Sequence, residues 1–292
     1  MDINERGRIK LLITRFLAYF FVIFTCLLCV LFFAILIINA TKTNFQLQNK
    51  FSIIPGSNFF VNFVNAWTDA SIDIPRGMLN SLLVATTASL LTTYFSALTA
   101  YGIFAYDFKF KKLIFTFILG VMMIPTQVVF IPVYVMIARL GWVNTFAGMA
   151  LPGIVSAHRI FMLRNNFMSV DQSYLDAGRV DGLGVIGTIR HVLMPMCRAS
   201  VITTSLTAFI NGWNNYFWPK ILAKDDAHRL ISVGIQRLKA QFDSMTGGLS
   251  INGSGFYNTV MAGVIISIVP VVIVFAFCQK YILKGFAKNA MK

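Results

Sequence analysis

Acidic side chains are scarce in this chain, 11 Asp and Glu among 292 residues, and none falls in its six longest uncharged runs. Carriers that couple to ions without help keep acids at membrane depth or show an internal repeat. Neither is found, which argues against a stand-alone channel or secondary transporter as the alternative reading. There is no P-loop and no G-x-G-x-x-G, so the backbone cradles that hold nucleotide phosphates are missing. Only four cysteines occur. Cys26 and Cys29 form a C-x-x-C inside an apolar run with no other ligand near in sequence, and Cys197 and Cys278 stand apart, so all four read as packing residues. His158 and His191 lack a third ligand or a paired carboxylate at useful spacing. A membrane enzyme would need such a cluster, so no catalytic or metal site and no cofactor bound by this chain is expected.

What the chain does have is apolar length. It is 57% hydrophobic, 14% aromatic and only 12% charged, far from the composition of a soluble domain. Uncharged runs cover Phe16 to Ile38, Met78 to Ala105, Leu113 to Ala138, Leu140 to Ala157, Ala199 to Pro219 and Phe256 to Gln279. About 20 residues cross a ~30 Å hydrocarbon core. The expectation is an all-α membrane protein with six transmembrane helices. The fourth span is drawn out to near Leu163, with Arg159 snorkelling toward the interface. Sixteen of the 25 Lys and Arg fall on one side of this arrangement, which places both termini in the cytoplasm. The net charge of +14 sits at helix ends, where anionic lipid is the partner, and does not call for nucleic acid. The first run has no small-residue cleavage pattern and reads as a retained helix. The resulting division is a cytoplasmic tail at 1–15, a first span at 16–38, an external segment at 39–77, a transmembrane core at 78–282 and a cytoplasmic tail at 283–292. The long external segments, Thr41 to Gly77 and Lys220 to Gly255, are expected to hold no core of their own, and "GGLSINGSG" within the second reads as a mobile loop.

Between the fourth and fifth runs lies "SYLDAGRVDGLGVIGTIRHVLMPMCR", Ser173 to Arg198. Ser173 with Asp176 has capping-box spacing and Asp171 is an alternative N-cap, so a helix starts here. Val185, Ile186, Ile189, Val192 and Leu193 form one face of a second helix. Gly182 and Gly184 separate the two, and Pro195 leads into the fifth span. Two short helices with an apolar face and a charged face suit docking into another protein's groove, or resting on the bilayer surface.

The register of this loop resembles the cytoplasmic motif of ABC importer permeases, E-A-A, three residues, Gly, nine residues, I-x-L-P. Asp176, Ala177 and Gly178 stand first, Gly182 follows after three intervening residues, and Val192-Leu193-Met194-Pro195 closes it. Gly178 in place of the second Ala weakens the helix by up to ~1 kcal/mol. "LNSLL" at Leu79, "ALTAYGIFAYDFKFKKLIF" from Ala97, "MIPTQVVFIPVYVMIARLGWVNT" from Met123, "LPGIVSAHRIFMLRNNF" from Leu151, "NGWNNYFWP" from Asn211 and "KGFAKNAMK" near the end are similar to carbohydrate-importer permeases of the maltose and glycerol-phosphate type, over about residues 75 to 292. Arg159 departs from that family, which has a small or apolar residue there. The resemblance implies a type I importer transmembrane domain in a bacterial cell membrane, paired with a second permease, two ATP-binding subunits that hold ATP and Mg, and an external solute-binding protein. It makes the loop at 170–195 the coupling helix, with Asp176, Ala177, Gly178, Arg179, Asp181 and Gly182 meeting the ATPase.

Amides and aromatics in the fifth run, Asn211, Trp213, Asn214, Asn215 and Tyr216, suit a sugar: amides bond hydroxyls and rings stack on apolar sugar faces. The same residues also suit interhelical hydrogen bonding and an interfacial aromatic belt. In the third run Met122, Met123, Pro125 and Gln127 form a proline-bent segment that either lines a gate or packs. Oligosaccharide is the first choice of substrate, with monosaccharide or glycerol phosphate next.

Overall fold

The computed structural model describes residues 3–49, 52–70, 72–246 and 257–290, and no strand occurs among them. Fifteen helices follow in order: α1 (Ile3–Ala40), α2 (Asn44–Asn49), α3 (Phe59–Thr68), α4 (Ile74–Ala105), α5 (Lys111–Val121), α6 (Thr126–Arg139), α7 (Phe146–Ala150), α8 (Ala157–Phe167), α9 (Gln172–Val180), α10 (Val185–Thr188), α11 (Met194–Met196), α12 (Arg198–Trp213), α13 (Phe217–Leu222), α14 (Ile231–Thr246) and α15 (Tyr257–Ala290). The expected Gly/Ser-rich loop at 247–255 lies outside the described residues.

Three helices are long and apolar enough to cross a membrane unbroken, within Leu11–Ala40, Ile74–Ala105 and Tyr257–Ile282. Three more runs are carried by bent pairs. α5 and α6 meet at 100°, α7 with the following 3-10 turn meets α8 at 48°, and the Val185–Met196 segment meets α12 at 97°. The first break has a local cause. Pro125 sits at the N-cap of α6 in extended conformation, lacks an N–H, and disfavours helical geometry at Ile124.

The chain divides into two compact units, residues 1–70 with 237–266, and residues 71–236 with 267–292. In the first, α1 is exposed from Leu11 to Phe33, a greasy rod that only lipid or another chain would cover. Beyond its end the segment after Thr41 turns back. Asn62 donates from Nδ2 to the carbonyls of Ala40 at 2.7 Å and Lys42 at 2.9 Å, and its Oδ1 accepts from Asn258 Nδ2 at 2.7 Å. Lys42 is buried and its ammonium donates to Asn39 Oδ1 and to the Ser52 carbonyl. A Cβ on Gly56 would lie 2.5 Å from the Thr41 carbonyl oxygen, so only glycine allows this approach. The segment is thus tied down by polar bonds and by a link to α15. Asn258, at the start of α15, is a partner about two hundred residues away that local pattern does not reveal.

In the second unit α4 is the central helix. It begins at Asp73, whose carboxylate accepts the Arg76 N–H, with Pro75 in the first turn where its missing donor is harmless. Its buried stripe is built of small residues, Ser81, Ala85, Ser89, Thr92, Thr93, Ser96, Ala97 and Ala100, which let α12 and α8 come close. Ser89 donates to the Ser205 carbonyl at 2.7 Å, and the Thr93 and Ser205 hydroxyls are 3.0 Å apart. A Cβ on Gly212 would meet Ala85 Cα at 3.1 Å. At one end of α4, Tyr101 packs with Leu163, Phe167, Leu175, Ile189 and Leu193; nearer the other end, Val84 packs with Ile137, Met149, Leu222 and Leu230.

Candidate functional site

Two features stand out from the packed helices of the second unit, the loop from Asp171 to Cys197 and a cavity among α4, α6, α7, α8 and α12.

The loop is built from its caps. Of the two N-caps left open by the sequence, the structure uses Asp171: its carboxylate accepts the Ser173 N–H at 2.9 Å, and bonds from the Ser173 backbone and hydroxyl hold it below the usual carboxylate range. At the other end of α9, the Leu183 N–H reaches the Gly178 carbonyl at 2.9 Å and the Gly182 N–H reaches the Arg179 carbonyl at 3.0 Å. These paired bonds make a Schellman motif, with Gly182 at φ +77° supplying the left-handed residue it requires. Leu183 then turns inward between two glycines. Cβ atoms on Gly178 and Gly187 would lie 3.4 and 3.3 Å from its side chain. α10 runs on through a π-helical turn over Ile189–Leu193 into α11. Leu175, Ile189 and Leu193 are buried against the core, while Val185 and Ile186, expected on the same face, are exposed. Insertion of the π turn rotates the helix and carries those two off the buried side. Arg179 Nη1 pairs with Asp176 Oδ1 at 3.0 Å with both side chains about half exposed; Ala177 and Asp181 are exposed as well. The outward side also presents Tyr174 and Val180, the latter 87% exposed. The loop thus has one face anchored and one uncovered, part charged and part apolar.

The cavity has a volume of about 450 Å3, the size range of a small-molecule site. Its polar lining comes from Thr92, Thr126, Arg159, Asn211 and Asn215, and its apolar walls include Phe130, Met149 and Trp218. Trp218 is fixed by an indole N–H bond to the Gly148 carbonyl at 3.0 Å and by edge-on packing with Phe130. Asn215 Oδ1 accepts the Trp218 N–H, and its carbonyl accepts the Ser232 hydroxyl. An adjoining depression shares Thr126, Phe130, Asn215 and Trp218 and adds Gln127.

Of the sequence-selected lining residues, Asn211, Asn215 and Gln127 come together around these hollows. Trp213 does not: it is buried, stacks on Phe209 and donates from Nε1 to the Ser267 carbonyl at 3.2 Å. Asn214 is exposed as the C-cap of α12, Tyr216 lies under the Lys220 ammonium, and Met123 projects from the α5–α6 break at 84% exposure; none of the three lines either hollow. Arg159, expected to snorkel toward the interface, is a lining residue that sequence reasoning did not select for the pathway. α8 continues to Phe167, so Arg159 stands about 12 Å up the helix from its end, by the 1.5 Å rise per residue. It lines the cavity. Its departure from the resembled family was the available signal.

The family model described as binding-protein-dependent transport system inner membrane component matches residues 92–288. The chain is similar to the sn-glycerol-3-phosphate transport system permease protein UgpE of Agrobacterium fabrum, 27% identical over 258 residues that cover 87% of this chain and 88% of that one. It is similar also to the arabinooligosaccharides transport system permease protein AraQ of Bacillus subtilis, 28% identical over 233 residues, 80% and 79% of the two chains. Among solved structures, a chain of a bacterial ABC transporter involved in the import of the acidic polysaccharide alginate superposes with a TM-score of 0.78 at 21% identity, over 96% of this chain and 98% of that one, which bears on the fold.

Proposed function

The chain belongs to the family of binding-protein-dependent transport system inner membrane components, and from that premise we propose that it is the permease subunit of an ATP-driven sugar importer in a bacterial cell membrane. Six spans cross, the three unbroken helices and the three bent pairs, with both termini cytoplasmic as the Lys and Arg distribution favours. A second permease completes the pathway, two ATP-binding subunits carry ATP and Mg, and an external binding protein delivers the solute. Saccharide is supported by the relative whose transport system is named for arabinooligosaccharides, and by amides and aromatics around the cavity; the relative named for glycerol phosphate keeps a polyol phosphate as the next choice. Oligosaccharide remains the preferred class.

The observation that carries the coupling assignment is the two-faced loop. Leu175, Ile189 and Leu193 lock one side to the ends of α4 and α8, so a push on the loop moves those helices as a body. The other side offers Tyr174, Asp176, Ala177, Arg179, Val180 and Asp181 to a partner groove. ATP-driven closure of the ATPase pair then biases the spans between inward-facing and outward-facing states through differential contacts at this loop. Extraction in mild detergent tests this directly. An ATPase and a second multi-span chain should co-purify, and recovery of the chain alone with ATP-independent uptake would reject the assignment.

A further inference from the structure

We infer that Arg159 makes the cavity an oxyanion-selective site, so that the transported saccharide bears a carboxylate or a phosphate. This rests on the permease assignment above and specifies its substrate.

Burying a guanidinium beside apolar walls is costly unless a counter-charge satisfies it. Arg159 is half-buried, and its Nε is closed off from solvent with no hydrogen-bond partner among the described residues. No Asp or Glu lines the cavity, and no ion pair involving Arg159 occurs among the described residues. Arg164 Nε likewise lacks a hydrogen-bond partner among the described residues, but its guanidinium faces the Phe115 ring at 4.1 Å and so meets an aromatic face. Arg159 therefore brings a fixed positive charge to a hollow otherwise lined by neutral donors and acceptors. Its planar fork matches a carboxylate or phosphate, while Thr92, Thr126, Asn211 and Asn215 offer groups that bond hydroxyls. A neutral sugar would leave the guanidinium unsatisfied and bind more weakly for that reason.

Trp218 lines the cavity and supplies a signal. Glucose, glucuronate and glucose 6-phosphate would be titrated against the detergent-solubilised complex by tryptophan emission, with Trp218→Phe as the signal control and acetate and inorganic phosphate as ion controls. The expected result is at least ten-fold tighter binding of one or both charged sugars than of glucose; the two charged probes distinguish carboxylate from phosphate. Arg159→Gln should abolish that preference by weakening the charged sugars and not glucose, and Arg159→Lys should keep part of it. Equal binding of all three sugars by the unaltered complex overturns the proposal without needing any variant. So does a preference that survives Arg159→Gln, or an Arg159→Gln chain that loses its partner permease while the unaltered complex shows no preference, since the guanidinium would then serve a subunit contact. Co-purification of an ATPase with retained uptake of neutral sugar would sink only this proposal; absence of an ATPase would sink the permease assignment instead.

Discussion

The Leu183 N–H donates to the Gly178 carbonyl at 2.9 Å, a bond that closes α9 only because Gly182 between them adopts φ +77°. A Cβ at Gly182 would meet nothing within 4 Å, so the demand on this position inside the chain is conformational. Gly182→Ala should lower stability by about 1 kcal/mol through the left-handed backbone alone, and Gly182→Asn by less. Gly182→Leu adds bulk on the uncovered face and should uncouple ATP hydrolysis from uptake while the chain still inserts. Thermal unfolding in detergent and parallel ATPase and uptake assays separate the two effects; normal uptake by the Leu variant would make the loop a mere connector.

Gly178 presents the opposite case. A Cβ there would sit at ordinary contact distances, 3.4 Å from Leu183 and 3.5 Å from Val192. Gly178→Ala should therefore be tolerated, and improved helix propensity should stabilise α9 by up to ~1 kcal/mol. A fall in the unfolding midpoint would mean that the helix and the Leu183 contact are tighter than described.

Close approach of α4 and α12 rests on Gly212 and Ala85. Gly212→Leu would force the helices apart and should cost roughly 1–3 kcal/mol, whereas Ser89→Ala should cost about 1 kcal/mol by removing the bond to the Ser205 carbonyl. If expression and melting of the Gly212 variant matched the unaltered chain, the tight crossing would be disproved.

Asn144 and Asp225 give a pH signature. Asn144 sits at φ +62°, donates to Asp225 Oδ2 at 2.7 Å and accepts the Lys224 N–H, while His228 bonds Asp225 Oδ1 at 2.8 Å. The Asn144 amide first, then His228, lowers the Asp225 pKa to about 2. A folded pKa below the unfolded one means that the stabilisation is full above the unfolded value of about 4 and is lost as pH falls through about 2. Asp225→Asn and Asn144→Ala should each flatten the wild-type decline in unfolding midpoint across that window. An unchanged slope in both variants would show that the cluster carries no linkage.

The long apolar helices α1, α4 and α15 were legible because an uncharged run of sufficient length is signal enough for a long apolar helix. Pro125 announced the α5–α6 break, and the glycine spacing announced the loop. Three things were hidden. The Asn62–Asn258 bond joins residues 196 positions apart, and no local pattern encodes it. Trp213 and Trp218 carry the same chemistry five residues apart, yet one is buried against Phe209 and the other lines the cavity, a difference set by helix packing. That Arg159 borders the cavity depends on how α8 packs against α4 and α12, which charge spacing alone does not give.

Cross-linking from Val180 tests the central claim most directly, because this side chain is 87% exposed on the uncovered face of α9. A photoreactive residue at this position, illuminated in native membranes, should yield an adduct whose peptides come from an ATP-binding subunit, and addition of ATP should change its yield. Adducts with lipid alone, or none, in membranes that still transport would contradict coupling through this loop.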